Sequence, residues 1–517
     1  MSITETTGTA APAKATRREW IGLAVIALPC MLYSMDLTVL NLAVPSLAAD
    51  LKPTAAQLLW IVDIYGFFIA GSLLTMGTLG DRIGRRKLLL IGAVCFGLTS
   101  LLAAFAQSAE MLIVARALLG IAGATLAPST LSLISNMFRD DRERTFAISV
   151  WVASFSAGGA LGPVIGGVLL AWFWWGSVFL VAVPVMVLLL VLGPALLPEY
   201  KDPHAGRLDL PSAGLSIVAV LAIIHGTKQL AEGGNLAMAA ATMLFGLVVG
   251  MIFVRRQRRL KDPLLDLGLF RRPAFSAALA INVFGFFAAF GTFLFIAQYL
   301  QLVLGLTPLE AGLWSLPSGL GFVAGSLLTS KLLGLMRPAY VLGLGLSLAA
   351  AGLLLLTQIG GPQSLLLVVV SFTALSLGLA PCAAIAADLV LGAAPPERAG
   401  TASGLNETSS EFGGALGIAL LGSLVTALYR GALAANLPPE IDPAAAEAAL
   451  HGLGPASAVA AGLPGASGTA LLAAAQEAYT GAMQAASGIS ALFMLLAAVT
   501  AVAMFRGMRP AAAAASG

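Results

Sequence analysis

The sequence predicts an all-α polytopic membrane protein that crosses a lipid bilayer fourteen times, with both ends on the cytoplasmic side. Three observations carry that prediction. Of 517 residues, 59% are hydrophobic and only 10% charged, with mean hydropathy +0.93, whereas soluble chains carry charge on roughly a quarter of their residues. The apolar residues are gathered in runs of about 20, the length a helix rising ~1.5 Å per residue needs to cross a ~30 Å hydrocarbon core. The basic residues fall almost entirely on one side of those runs.

In order, the runs are 20–44, 56–79, 87–107, 110–134, 145–171, 175–197, 209–230, 236–254, 274–302, 310–332, 339–358, 365–391, 401–428 and 485–506. With the N-terminus inside, 24 of the 28 Lys and Arg residues lie in inner segments, three (Lys52, Lys228, Arg430) lie outside, and Arg116 lies within a span. Lys and Arg concentrate in cytoplasmic loops, and a wrong span count would scramble this asymmetry. The polar stretch 1–19 ends in Arg17 and Arg18 without a small-residue cleavage site, so it reads as a cytoplasmic tail, as does 509–517. The inner stretch RRQRRLKDPLLDLGLFRRP (255–273) suits either a hinge along the anionic inner leaflet or ordinary topology-setting charge. The outer stretch 430–483 holds DPAAAEAALHGL and GTALLAAAQEAYTGAM. It is too polar and broken to span, and reads as a small extracellular helical hairpin or a loose linker.

Several chemistries are excluded. Cys30, Cys95 and Cys382 sit in spans without CxxC spacing, and the three histidines form no HExxH. No lysine follows a glycine, so the chain has no phosphate loop and no nucleotide-hydrolysing motor of its own. No metal, organic cofactor or nucleic acid is implied; membrane lipid is the expected surrounding, and the chain is expected to act as a monomer.

Between the second and third spans runs GTLGDRIGRRKLLL (77–90), where Gly77 and Gly84 frame a tight inner turn presenting Asp81 beside Arg82, Arg85 and Arg86. Asp81 can cap or pair with the end of a neighbouring helix while the glycines let backbones approach. The first span contains MDLTVLNLAVPSL (35–47), and the fourth contains RALLGIAGA (116–124), with Arg116 in an apolar helix. The fifth contains GGALGPVIGG (158–167). There Gly158, Gly162, Gly166 and Gly167 offer a close-packing face, and Pro163 removes one backbone hydrogen bond.

Together these stretches resemble the signatures of the major facilitator superfamily, in which the 77–90 type of loop latches the cytoplasmic gate. The GxxxGPxxGG spacing is similar to that of exporting members. Fourteen spans, with two extra helices at about 209–254, resemble the fourteen-helix drug:proton antiporter subfamily over essentially the whole chain. WIVDIYGF (60–67) and GLNETSSEFGGALG (404–417) look closest to exporters of quaternary ammonium compounds, dyes and, in some members, fluoroquinolones. The resemblance implies a six-helix bundle over 20–200, two additional helices in 201–260 and a second six-helix bundle over 261–508. It further implies a secondary transporter, not an enzyme, in the cytoplasmic (inner) membrane of a bacterium. Its cargo would be lipophilic cations, exchanged for protons by alternating access. A dedicated proton-driven exporter of a natural metabolite or self-made antibiotic is the alternative. The second half holds only a degraded echo of the loop signature, GSLLTSKLLGLMRP (325–338), which places the latch chiefly on the N-terminal side.

The acids are weighed by depth, since a charge at mid-bilayer costs roughly 2.5–3.5 kcal/mol and is kept where it faces a cavity or a partner. Asp36 is mid-depth in the first span, a turn after Tyr33. Asp63 is ~10 Å inside the outer end of the second, one turn from Trp60, so an aromatic ring and a carboxylate share a stripe suited to a lipophilic cation. Glu310 starts the tenth span and reads as a vestibule charge or a helix-starting acid. Arg116 is expected to pair with a buried acid or organise a proton relay. Glu407 and Glu411 lie ~10 and ~16 Å inside the thirteenth span on one helical face. Like charges that close in low dielectric cannot both ionise cheaply, so one carboxyl is expected to hold a proton near neutrality. Gly404 and Gly414 are expected to open room beside them. Glu411, the deeper, is the better cation partner; Glu407 is the better proton-release site.

Overall fold

The protein is described here from a computed structural model, which covers residues 14–53, 55–201, 209–231, 235–260, 263–360 and 364–506 and leaves the side chains of Asp63 and Pro163 outside the described set. Residues 14–19 are the only described part of the expected tails. The N-terminal helices are α1 (Arg17–Leu51), α2 (Ala55–Ile83), α3 (Arg85–Ala104), α4 (Ala109–Gly123), α5 (Leu126–Met137), α6 (Asp141–Trp172), α7 (Ser177–Leu180) and α8 (Ala182–Leu196). Two inserted helices follow, α9 (Leu210–Ala231) and α10 (Leu236–Gln257). The rest are α11 (Pro273–Gln298), α12 (Pro308–Leu335), α13 (Pro338–Leu356), α14 (Ser364–Ala393), α15 (Ala399–Ala435), α16 (Pro443–Leu450), α17 (Leu453–Gly462) and α18 (Gly465–Phe505). The pairs α4–α5 and α7–α8 each form one interrupted crossing. Among the described residues, 13 stretches are long and apolar enough to span a bilayer. The 29-residue α2 makes the fourteenth long helix.

Local chemistry sets the helix starts. Asp140 caps α6 by accepting from the amides of Arg142 and Glu143, both at 3.0 Å, and proline opens α11, α12 and α13. The outer stretch 430–483 is a helical cap. Its Ala-rich segments are strong helix formers, and α18 starts at Gly465, well before the expected span. The Tyr429 hydroxyl donates to the Ala449 carbonyl at 3.0 Å, Gln476 donates to the Leu302 carbonyl at 2.8 Å, and Leu453 and Leu471 are buried beneath.

Within the N-terminal half α1 packs on α6 and α2 on α4; within the C-terminal half α11 packs on α15 and α12 and α13 on α14. The halves meet along α2–α15 and α6–α12, and α9, paired with α10, leans on both α2 and α15. The α1–α6 crossing uses the glycines of 158–167. A Cβ on Gly158 would overlap the Met31 carbonyl, and one on Gly162 the Thr38 hydroxyl, whereas Gly167 faces open space. Gly166 is buried in the same helix.

At the inner end the two halves share a core. Ala383, Ala384, Ala387, Leu391 and Ala399 join the cluster built on Ile26, Leu131, Ile134 and Phe138. Asp81 joins the two halves there. Its carboxylate accepts from the amides of Gly400 and Thr401, each at 2.8 Å, from the Thr401 hydroxyl at 3.0 Å and from Arg85 at 2.9 Å. Arg85, fully buried, also donates to Pro396 O at 2.6 Å. Gly77 abuts Gly400 so closely that a Cβ on either would overlap the other's carbonyl. Gly84, at φ +112°, turns the chain between α2 and α3. Arg86 braces α8 through the carbonyls of Pro194 and Leu197 at 3.1 and 3.0 Å, and Arg82 ends α2.

The Asp81 contacts are not the whole of the inner seam. A second inter-bundle lock joins Arg144 of α6 to Asp388 of α14 at 3.1 Å, with Thr145 donating to the same carboxylate at 3.2 Å. The 255–273 connection also touches this seam: Thr78 donates to Leu264 O at 3.4 Å, and Asp266 pairs with Arg398 at 3.5 Å.

Candidate functional site

The polar residues expected to act together separate into two groups on the two halves. In the N-terminal half, Arg116 of α4 ties three helices. It pairs with Asp36 of α1 at 3.0 Å, donates to the carbonyls of Ile61 and Val62 on α2 at 2.6 and 3.5 Å, and lies 5.0 Å over the Tyr65 ring. Arg116 is therefore half of a buried pair, one of the two roles expected for it, and Asp36 has a fixed partner. Breaking such a pair by removing one side costs about 3–5 kcal/mol, because the other charge is left uncompensated. Arg116→Leu should accordingly depress thermal stability in detergent far more than Trp60→Ala, a comparison that a melting curve for each variant checks.

The second group is on α15. Glu411 accepts from the Tyr33 hydroxyl at 3.1 Å, a contact that crosses from one half to the other. Glu407, one turn nearer the inside, accepts from Asn406 Nδ2 at 2.9 Å. Around Tyr33 stands an aromatic wall that the sequence reading did not single out. Phe155 of α6 lies edge-on to Tyr33 at 5.4 Å, Trp151 edge-on to Phe155 at 4.7 Å, and Tyr65 is tilted 6.4 Å from Tyr33. Trp151 is anchored by its Nε1–H donating to Thr130 at 2.9 Å. On α11, Phe286 and Phe290 stack at 5.9 Å, Phe290 lying over Gly414. The available signal was the i, i+4 pair Trp151 and Phe155 on α6, just before Gly158 and on the helix already marked by its glycines.

Three other residues sit elsewhere. Trp60 is 42% exposed and stacks on His225 of the inserted helix α9 at 6.1 Å, so its ring faces outward from the acids. Asp63 lies one turn further along α2, with its side chain outside the described residues. Glu310 completes a capping box with Thr307, accepting from its amide and hydroxyl at 2.8 Å each. Of its two expected roles, helix starting is the one its contacts fit, since both bonds are local. The glycines flanking the acids do not open room as expected. Gly404 is pressed against the Leu73 carbonyl of α2, and Gly414 lies under the Phe290 ring. In both places a missing side chain allows close packing.

Comparisons with known proteins place the chain among transporters. The profile of the Major Facilitator Superfamily matches residues 26–418. The chain belongs to the major facilitator superfamily. It is 43% identical over 499 residues to the multidrug efflux pump LfrA of Mycolicibacterium smegmatis, covering 96% of this chain and 99% of that one. It is 36% identical over 495 residues to the methyl viologen resistance protein SmvA of Salmonella typhimurium, covering 93% and 97%. Among solved structures, the human organic anion transporter MFSD10 superposes with TM-score 0.60 at 14% identity, over 93% of this chain and all of that one, which shows the fold alone. The protein is a multi-pass transporter of a bacterial cell membrane.

Proposed function

We propose that the protein exports lipophilic, mostly cationic drugs by exchanging them for protons at Glu407 and Glu411. The observation that carries this is the Tyr33–Glu411 hydrogen bond, a half-buried carboxylate set against aromatic rings at the seam between the halves. A ring face attracts a cation, and a carboxylate in low dielectric pairs with one. The same carboxyl loses that attraction once protonated. Proton and cation therefore compete for one group, and competition makes the exchange obligatory.

The relatives support the direction and cargo: one is named a multidrug efflux pump, the other for resistance to methyl viologen, a dication. Purified protein in vesicles carrying a pH gradient should move ethidium against its concentration gradient, and the movement should stop when an ionophore collapses that gradient. Ethidium movement that is indifferent to the pH gradient would rule out proton exchange.

A further inference from the structure

Helix α11 is apolar along nearly its whole length, yet it buries Asn282, 1% exposed, against the acid-bearing turn of α15. Asn282 Nδ2 lies 2.8 Å from Ser410 Oγ, 2.9 Å from Ser409 Oγ, 3.1 Å from the Asn406 carbonyl and 3.4 Å from Asn406 Oδ1. Both serine hydroxyls donate their own protons to the Asn406 carbonyl, at 2.6 and 3.2 Å. Their oxygens can then only accept, which fixes the amide of Asn282 as the donor. Because Oδ1 of Asn406 is turned to Asn282, its Nδ2 is turned to Glu407 Oε1, 2.9 Å away. An N–H donor stabilises the bare carboxylate and does nothing for a protonated one. A flipped Asn406 would set oxygen against oxygen, tolerable only while Glu407 keeps its proton.

We propose that Asn282 is a positioning residue which, acting through Asn406, holds Glu407 ready to give up its proton. The inference rests on the proton-exchange reading above. Close backbone contact fixes the geometry, since Gly413 of α15 is seated on Val283 next to Asn282. The titratable groups facing Glu407 are Glu411 on its own helix and Cys30 and Tyr33 on α1. Neither α11 nor α5 carries a titratable side chain. Elsewhere around α15, Asp81 is held by Arg85 and Asp388 by Arg144, Tyr65 lies beside Tyr33, and His225 stacks on Trp60. Lys228 and Asp63 also belong to helices packed on α15, while Cys382 of α14 and Tyr479 of α18 are buried, and Glu477 of α18 is exposed on the outer half.

The test is the pH dependence of tetraphenylphosphonium binding to the purified full-length protein, in wild type, Asn282→Leu, Asn406→Leu and the double variant, with Asn282→Ser as the gentler change. In alkaline buffer the variants should bind with near wild-type affinity. As the pH falls, each single variant should lose affinity about one pH unit earlier, the worth of one charge-assisted hydrogen bond. The double variant should shift no further than either single one, because both act on the same bond. Additive shifts, or an affinity loss equal at every pH, would overturn the relay and leave Asn282 a packing residue. If Glu407→Gln retains the full wild-type pH dependence, the exchange reading itself falls, a result distinct from failure of the relay alone. Should Asn282→Leu not fold, Asn282→Ser and Asn406→Leu carry the same comparison.

Discussion

Glutamine at both 407 and 411 is expected to abolish drug-driven proton release while leaving a folded transporter in the membrane. The single changes should divide the effect. Glu411 accepts from Tyr33, whose ring lies edge-on to Phe155, so Glu411→Gln removes the charge a bound cation would meet. A hydrogen bond or contact to a charged group in a buried site contributes about 1.5–3 kcal/mol, so affinity should fall about 10- to 100-fold. Glu407 stands one turn inward beside Asn406, so Glu407→Gln should bind ethidium with the weaker affinity of the Glu407-protonated wild type and release few or no protons on binding. Tyr33→Phe is the control. It keeps the ring and drops one hydrogen bond to Glu411, and should cost far less than losing the carboxylate. Proton release measured with a pH dye on adding ethidium separates these outcomes. Wild-type release from the double glutamine variant would remove these acids from the mechanism.

The sequence made the membrane architecture legible because three independent signals agreed: run length, composition and the placement of Arg and Lys. It also marked Asp81, Arg85, Arg116, Glu407 and Glu411, since ionised groups in an apolar chain need a reason to be there. What it could not convey was partnership. Asp36 and Arg116 are 80 positions apart in sequence, and Tyr33 and Glu411 are 378; nothing local in either segment names the other. Phe155 and Trp151 escaped notice for a different reason, because aromatic residues in a transmembrane helix are ordinary unless a neighbour supplies a charge. Gly404 and Gly414 misled because a missing side chain signals close approach as readily as empty space, and only the packed neighbour decides which. Glu310 was ambiguous at the helix start until Thr307 closed the capping box.

Asp81→Ala should unlock the inner gate and stop export, the second large effect expected. The carboxylate holds Gly400 and Thr401 of α15 and neutralises the fully buried Arg85. Its removal leaves that guanidinium with the carbonyls of Ser132 and Pro396 and the face of the Tyr200 ring, none of which carries a compensating charge. An uncompensated buried charge costs about 3–5 kcal/mol, enough to move a two-state equilibrium by roughly 10²–10⁴ toward a form in which Arg85 reaches water. That form is the one with α2 and α15 parted at their inner ends. A cysteine at Ser403, buried behind the latch, reports it in a background with Cys30, Cys95 and Cys382 replaced. Its labelling by a maleimide applied from the cytoplasmic side should quicken by about that factor in Asp81→Ala. Asp388→Ala should act more weakly, because Arg144 keeps Asp141 at 3.0 Å and both side chains of the Arg144–Asp388 pair are partly exposed. Pairs open to solvent contribute only about 0–1 kcal/mol. If Ser403→Cys stays protected in Asp81→Ala and becomes reactive in Asp388→Ala, the order of the two locks is reversed. The gate would then be governed from the α6–α14 seam, and the signature loop would serve to place Arg85 and Arg86 against α8 and the α14–α15 turn.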